Sequence, residues 1–256
     1  MAAEFSPEWR EMRVGNGTVR YLVAGAGAPV ILLHGLSGSV AWWGRNLAAL
    51  ARDFRVHAID LVHHGGWRRS RFVLGDISEH LAAWMPAAGL ARASFVGHSM
   101  GGYIAARLAA EHPELVEKLV LVNAAALFPR TGPKLAPARL LRWLPTFPPL
   151  LAPILLRDAL RAGPLTLWQA TRDLLASDLR PNLEAITAPT LILWGDRDGL
   201  LPVELAHELH AALPSSELRI FPGAGHNPMW ETPAAFNEAV RAFLHHDERP
   251  GRAAGI

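Results

Sequence analysis

Short, almost wholly apolar runs recur along the chain: Val30-Ile31-Leu32-Leu33, Phe54 to Ile59, Ala93-Ser94-Phe95-Val96, Leu119 to Val122, Thr190 to Trp194 and Leu218 to Phe221. Runs this short, bounded by Gly, Pro, Asp or His, read as strands buried on both faces. Segments of helical periodicity lie between them, at Trp43–Ala51, Ser78–Ala88, Met100–Ala110, Val203–Leu213 and Pro233–Phe243. The alternation predicts an α/β fold, a mostly parallel central sheet flanked by helices. Tyr21-Leu22-Val23 and Val30 to Leu33 are separated by a Gly/Ala/Pro turn and are expected to pair with each other as early strands.

Between Ala124 and Pro189 the alternation stops and the composition shifts to Leu, Pro, Trp and Arg. The stretch is too long for a strand-to-helix connection. It predicts a helical cap, residues 124–188, inserted after the sixth strand into a core made of residues 1–123 and 189–256. Leu135 to Leu156 is broken by prolines, which suits short helices. The apolar residues of the cap, with Phe128, Trp143, Phe147, Leu150, Ile154, Leu155, Leu167 and Trp168 among them, should divide between gluing cap to body and lining a pocket.

Composition narrows the classes. At 256 residues, half of them hydrophobic, the chain suits one large domain with an insertion. Without cysteine there is no disulfide, thiol nucleophile or thiolate metal site. Net charge is +2, lysine is nearly absent and the arginines are scattered, so no nucleic-acid partner is expected. No apolar run approaches the ~20 residues of a membrane span, and the N-terminus lacks the apolar core of a secretory signal. The expectation is a cytoplasmic monomer or small homo-oligomer.

The chemistry centres on Gly97-His98-Ser99-Met100-Gly101, a G-x-S-x-G pentapeptide between a strand and a helix. Such a turn forces the serine into a strained conformation and needs glycine on either side. It lifts Ser99 clear of the sheet as a nucleophile and aims the Met100 N–H into the same space. A serine nucleophile needs a base, an orienting acid and a second oxyanion donor. Each has a candidate after a predicted strand. His226 follows Leu218 to Phe221, and histidine is the side chain whose free imidazole, with a pKa of ~6.5, takes and returns a proton near neutrality. Asp196 and Asp198 follow Thr190 to Trp194. His34-Gly35-Leu36 follows Val30 to Leu33, with the Leu36 N–H as the second donor. His98 reads as a packed neighbour of the nucleophile. Trp42 and Trp43 are both candidates for the wall of a substrate site, together with Trp143 and Phe147, and either of the first two suits the core equally well. His63 and His64 are adjacent, so they point apart, and no carboxylates cluster with them; no metal is expected.

Leu33-His34-Gly35, Gly97 to Gly102, Pro113 to Asn123, Ala188 to Asp198 and Gly225-His226-Asn227-Pro228 together resemble the α/β-hydrolase superfamily, in particular its small esterase-like members with a helical cap. The resemblance runs from about Gly15 to Leu244. The order Ser99, Asp198, His226 is the order of that superfamily's triad. Its pattern places the acid three residues after Gly195, which implies Asp198, with Asp196 tying down the turn. One stretch departs from the pattern: after Asp60 the chain reads Leu61-Val62-His63-His64-Gly65-Gly66-Trp67-Arg68-Arg69-Ser70, with the turn glycines displaced. The resemblance implies a cofactor-free serine hydrolase of small to medium carboxylic esters. A C–C bond hydrolase, lactonase or perhydrolase uses the same triad, and Arg130, Lys134, Arg139 and Arg142 would suit a substrate carboxylate. A receptor or carrier on the same fold is the alternative of another class.

Overall fold

A computed structural model of the chain describes residues 6–15, 17–61, 74–129 and 147–246. Eight strands form one sheet: β1 (Glu8–Val14), β2 (Gly17–Ala24), β3 (Ala28–Leu33), β4 (Phe54–Asp60), β5 (Ala93–His98), β6 (Val116–Val122), β7 (Thr190–Gly195) and β8 (Ser216–Phe221). Their order is β1-β2-β4-β3-β5-β6-β7-β8. The β1/β2 and β2/β4 pairs are antiparallel, and every other pair is parallel.

The expected pairing of β2 with β3 does not occur. β4 lies between them, with Tyr21 opposite Ile59 on one side and Leu33 opposite Ile59 on the other. The linker therefore crosses the start of β4 instead of closing a hairpin. Gly25 and Gly27 take φ of 77° and 109°, and a Cβ on Gly25 would stand 2.3 Å from the Ala51 carbonyl oxygen. β1 was not foreseen; its mostly exposed, charge-rich pattern is that of an edge strand with a single neighbour.

The described helices are α1 (Leu47–Leu50), α2 (Asp76–Ala87), α3 (Met100–Glu111), α4 (Ala152–Ala162), α5 (Pro164–Ala176), α6 (Glu204–Ala212), α7 (Pro228–Glu231) and α8 (Pro233–His245). The helix expected over Trp43–Ala51 is split. A 3-10 turn, Val40–Trp43, is capped by the Ser39 hydroxyl and ends at Gly44; α1 follows. Between them the Asn46 side chain donates to the Met229 carbonyl and to Asn237, which ties this segment to α7 and α8.

Successive strand residues point to opposite faces. Ile31, Leu33, Phe95, Leu119 and Leu121 pack with α2, α3 and α6 on one face. Val30, Leu32, Val96, Val120 and Val122 pack with Trp43, Leu50, Phe236 and Val240 on the other. This double burial is why the strands read as unbroken apolar runs; each such side chain contributes about 1.5–3 kcal/mol on leaving water.

The strand order also locates the place for a ligand. From β3 the chain goes to β4 on one side and then to β5 on the other, so the order reverses between β3 and β5. Loops leaving the carboxyl ends of these two neighbouring strands part in opposite directions and open a crevice. Those loops begin at His34-Gly35-Leu36 and at Ser99.

Candidate active site

Ser99 stands at the β5–α3 junction with φ 52° and ψ −114°, a left-handed conformation that costs a non-glycine residue about 1–3 kcal/mol. Backbone bonds hold it there. Its N–H donates to the Val122 carbonyl (3.0 Å), and its own carbonyl accepts from Tyr103 (3.1 Å) and Ala125 (3.0 Å). The neighbouring glycines are required by close approach: a Cβ on Gly97 would stand 2.4 Å from the Gly101 carbonyl oxygen, and one on Gly101 would stand 2.2 Å from that of Leu33. Met100 is the first residue of α3, where N–H groups have no intrahelical acceptor.

The β3 loop is pinned by His34. Leu61 donates its N–H to His34 Nε2 (2.9 Å), so Nδ1 carries the proton and donates to the Gly35 carbonyl (2.8 Å). Burial pushes His34 down to about 4 and keeps it neutral at ordinary pH. The following turn closes with Gly38 N–H on the Gly35 carbonyl (3.1 Å), with Ser37 at φ 53°. Gly35 lies against the Ser99 turn; a Cβ there would be 2.9 Å from His98 Nδ1 and 3.2 Å from Ser99 Cβ.

His226 and Asp198 come from the loops after β8 and β7. His226 Nδ1 lies 2.7 Å from Asp198 Oδ2, and both side chains are buried. A carboxylate facing Nδ1 holds the proton on that nitrogen and leaves Nε2 as the acceptor. The same Asp198 oxygen accepts from Asn123 Nδ2 (2.6 Å), while Oδ1 accepts from the N–H groups of Leu200 (2.8 Å) and Leu201 (3.0 Å). Asp196 does something else: its Oδ1 accepts from the Gly223 N–H (2.7 Å) and ties the two loops together.

His98 is fully buried and donates from Nε2 to the His226 carbonyl (2.8 Å). Burial, with His226 close by, holds it well below the ordinary imidazole range, so it supports the histidine loop as a neutral ring. Glu231, on α7, grips the same loop from the other side, accepting the N–H groups of Gly225 and Asn227 that flank His226. Burial raises its pKa. Asn123 and Glu231 were not singled out from the sequence. The signal for Asn123 is an asparagine just after a strand, at φ 40°, a conformation asparagine tolerates better than most residues.

Ser99 and His226 open into one cavity of about 250 Å³. Leu36, Trp42, Phe128, Leu155, Leu174 and Leu201 supply most of its wall, with the Ser37 and Thr171 hydroxyls, and no Asp, Glu, Lys or Arg is among the described lining residues. Leu155 comes from α4, and Thr171, Leu174 and Leu175 from α5, so both helices lie over the crevice. Trp42 and Trp43 part company. Trp42 is at the cavity, its ring 5.7 Å from that of His98, whereas Trp43 is fully buried against Phe236 (6.4 Å) and does not reach it. Adjacent residues of a tight helical turn point in different directions, so one of the pair had to face the core. Phe147 also packs against the core on the Trp43 side of the sheet and is not among the lining residues. Leu150 and Trp168, expected to glue the cap or line the pocket, are 68% and 60% exposed. Trp143, Arg130, Lys134, Arg139, Arg142, His63 and His64 lie outside the described residues.

Comparison with known proteins agrees with this architecture. The profile of the Alpha/beta hydrolase family matches residues 30–239, and the chain belongs to that family. It is 29% identical to a pimeloyl-[acyl-carrier protein] methyl ester esterase of Vibrio atlanticus, over 89% of this chain and 98% of that protein. It is 30% identical to a 2-hydroxy-6-oxononadienedioate/2-hydroxy-6-oxononatrienedioate hydrolase of Paraburkholderia xenovorans, over 92% of this chain and 94% of that protein. Among solved structures, a membrane phospholipase A superposes with a TM-score of 0.82 at 29% identity, covering 93% of this chain and 86% of the other. Hydrolases of this kind act on different bonds with one fold, so the chain is a hydrolase whose substrate must be argued from its site.

Proposed function

We propose that the protein is a cofactor-free serine hydrolase that cleaves small to medium-chain carboxylic esters through an acyl-enzyme. The observation that carries this reading is one cavity holding Ser99, on its strained turn, and His226, whose Nδ1 is bonded to Asp198 at 2.7 Å. In the reaction, Ser99 Oγ attacks the ester carbonyl while His226 Nε2 takes its proton. The N–H groups of Leu36 and Met100 receive the charge that develops on the carbonyl oxygen. His226 then protonates the departing alcohol, activates a water molecule against the acyl-enzyme, and the acid leaves. Asp198 keeps His226 in the required tautomer and stabilises the imidazolium. Residues 124–188 act as the cap.

The size and lining of the cavity support the substrate class. At about 250 Å³ it falls just below the ~300–1,000 Å³ usual for drug-sized ligands. Its wall suits an alkyl acyl chain, and each methylene buried there is worth about 0.8 kcal/mol. The esterase of Vibrio atlanticus is a relative whose named substrate is an ester. The relative from Paraburkholderia xenovorans, named for a dienedioate substrate, supports a second reading, C–C bond hydrolysis, but such a diacid asks for a cation that the described wall does not offer. A panel of p-nitrophenyl esters from acetate to laurate, lactones and vinylogous diketones decides between them. The ester reading predicts turnover of the esters with a butyrate-to-octanoate optimum; turnover of the diketones alone would replace it with the second reading.

A further inference from the structure

The described helices over the cavity are apolar on two sides. The inner side of α4 and α5 supplies Leu155, Thr171, Leu174 and Leu175 to the cavity. On the outer side, Leu156 and Leu160 form an i, i+4 pair on α4, and Leu165 and Trp168 an i, i+3 pair on α5; they are 63%, 75%, 66% and 60% exposed. With Leu150 they make up all but one of the large hydrophobic side chains that the described residues expose, the other being Trp9 on β1. A single exposed leucine is ordinary, but a cluster confined to two adjacent helices marks an interaction surface.

Charge selects the partner. Arg161 follows Leu160 on α4, and Arg172 stacks on the Trp168 ring at 5.2 Å, whereas Arg157 is turned to Asp158 (2.8 Å) and the Ser39 hydroxyl (3.2 Å). Of the acids on these helices, Asp158 is buried and paired with Arg157, and Asp173 is paired with Arg172, which leaves the two helices one positive charge in excess, at Arg161. In sequence, residues 130–173 carry seven Arg or Lys and two Asp, whereas the whole chain is only +2, so the remainder is net negative. Exposed Leu and Trp bordered by arginine is the composition of helices that lie in a lipid–water interface, the apolar side chains among the acyl chains and the cations at anionic headgroups. A second copy of the chain would bring arginine against arginine at this face.

We propose that the outward face of α4 and α5 docks the protein onto an anionic lipid surface. The docking places the helices that line the cavity at the surface from which an amphiphilic ester would enter. Lipid binding can be measured without turnover, so this proposal and the ester reading can fail separately.

The test is co-sedimentation of the full-length Ser99→Ala protein with vesicles of phosphatidylglycerol and, separately, of phosphatidylcholine, at low and high salt. Binding is expected to phosphatidylglycerol, weaker to phosphatidylcholine, and reduced by salt. Leu160→Glu with Trp168→Glu should weaken phosphatidylglycerol binding by roughly a hundredfold, because two inserting side chains are lost and two like charges added. The same pair of changes in the Ser99 protein should leave its circular dichroism and its hydrolysis of a soluble short ester unchanged. No binding to phosphatidylglycerol at low salt, or binding indifferent to the two changes, would overturn the proposal. So would a concentration-dependent dimer that the two changes abolish, which would assign the face to a second copy.

Discussion

Asn123 Nδ2 lies 2.6 Å from Asp198 Oδ2, the oxygen that also meets His226 Nδ1. The asparagine directly follows β6, and its backbone N–H donates to the Leu193 carbonyl on β7 (2.9 Å). It fixes the carboxylate from the strand beside the one that carries it. Asn123→Gly keeps a residue at ease with φ 40° and removes the donor. Because a hydrogen bond to a charged group contributes about 1.5–3 kcal/mol, kcat should fall roughly 10- to 100-fold with KM little changed. Steady-state kinetics on a butyrate ester checks this. A rise in KM alone would mean that Asn123 serves binding instead.

The two aspartates of Gly195-Asp196-Arg197-Asp198 should separate sharply. Asp198 accepts four N–H donors, one of them His226, whereas among the described residues the Asp196 side chain bonds only the Gly223 backbone N–H. Asp198→Asn would present an amide that favours the wrong imidazole tautomer, and kcat should drop by about 10⁴. Asp196→Asn keeps an oxygen for Gly223 and should retain turnover within about threefold, since a single neutral hydrogen bond is worth only ~1 kcal/mol. Comparable losses in two folded variants would mean the acid is misassigned.

Acid should destabilise the fold before the carboxylates titrate. His34 and His57 are both pushed down to about 4 by burial, against 6.5 for a free imidazole. Between those values the unfolded chain binds protons that the folded chain does not, so stability falls as pH drops from 6.5 towards 4 and is flat above 6.5. The loss is on the order of 3 kcal/mol per residue at most. His57 lies beside Tyr21 and Trp84, and neither of its ring nitrogens has a hydrogen-bond partner. His57→Leu should therefore match or exceed the wild-type stability at pH 7 and reduce the acid slope. Urea unfolding at pH 7.5, 6 and 5 measures it. An unchanged slope in the variant would show that His57 titrates freely.

The cavity wall can be moved in either direction. Leu174, on α5, lines the cavity and is buried, so Leu174→Ala should enlarge the acyl site and shift the preferred ester by one or two carbons. Leu174→Phe should shift it towards acetate. Trp43→Phe, a change in the core away from the cavity, should lower thermal stability and leave the chain-length profile in place. A profile that ignores both Leu174 variants would place the acyl group elsewhere.

The central strands and their loops were legible because double burial makes them unbroken apolar runs and because close approach demands glycine at Gly97 and Gly101. β1 escaped notice because an edge strand buries little and carries charges in place of an apolar run. The β2–β3 error has a topological cause: a Gly-rich turn announces a change of direction, not whether a later strand will slip between the two. Asn123 and Asp198 are 75 positions apart in sequence, and nothing local marks their contact. Trp42 and Trp43 are chemically alike, and only the phase of the 3-10 turn distinguishes cavity from core. Leu150 and Trp168 were assigned to burial by hydrophobicity alone, a rule that holds in one direction only.

The most direct test is covalent. The full-length protein is treated with a fluorophosphonate, digested and mapped by mass spectrometry. Ser99, on its strained turn in the cavity it shares with His226, should carry a single adduct, and its labelling should run parallel to the loss of ester hydrolysis. Ser99→Ala should take up no label and keep its fold. An adduct on another residue, or ester turnover that survives complete labelling of Ser99, would contradict the account.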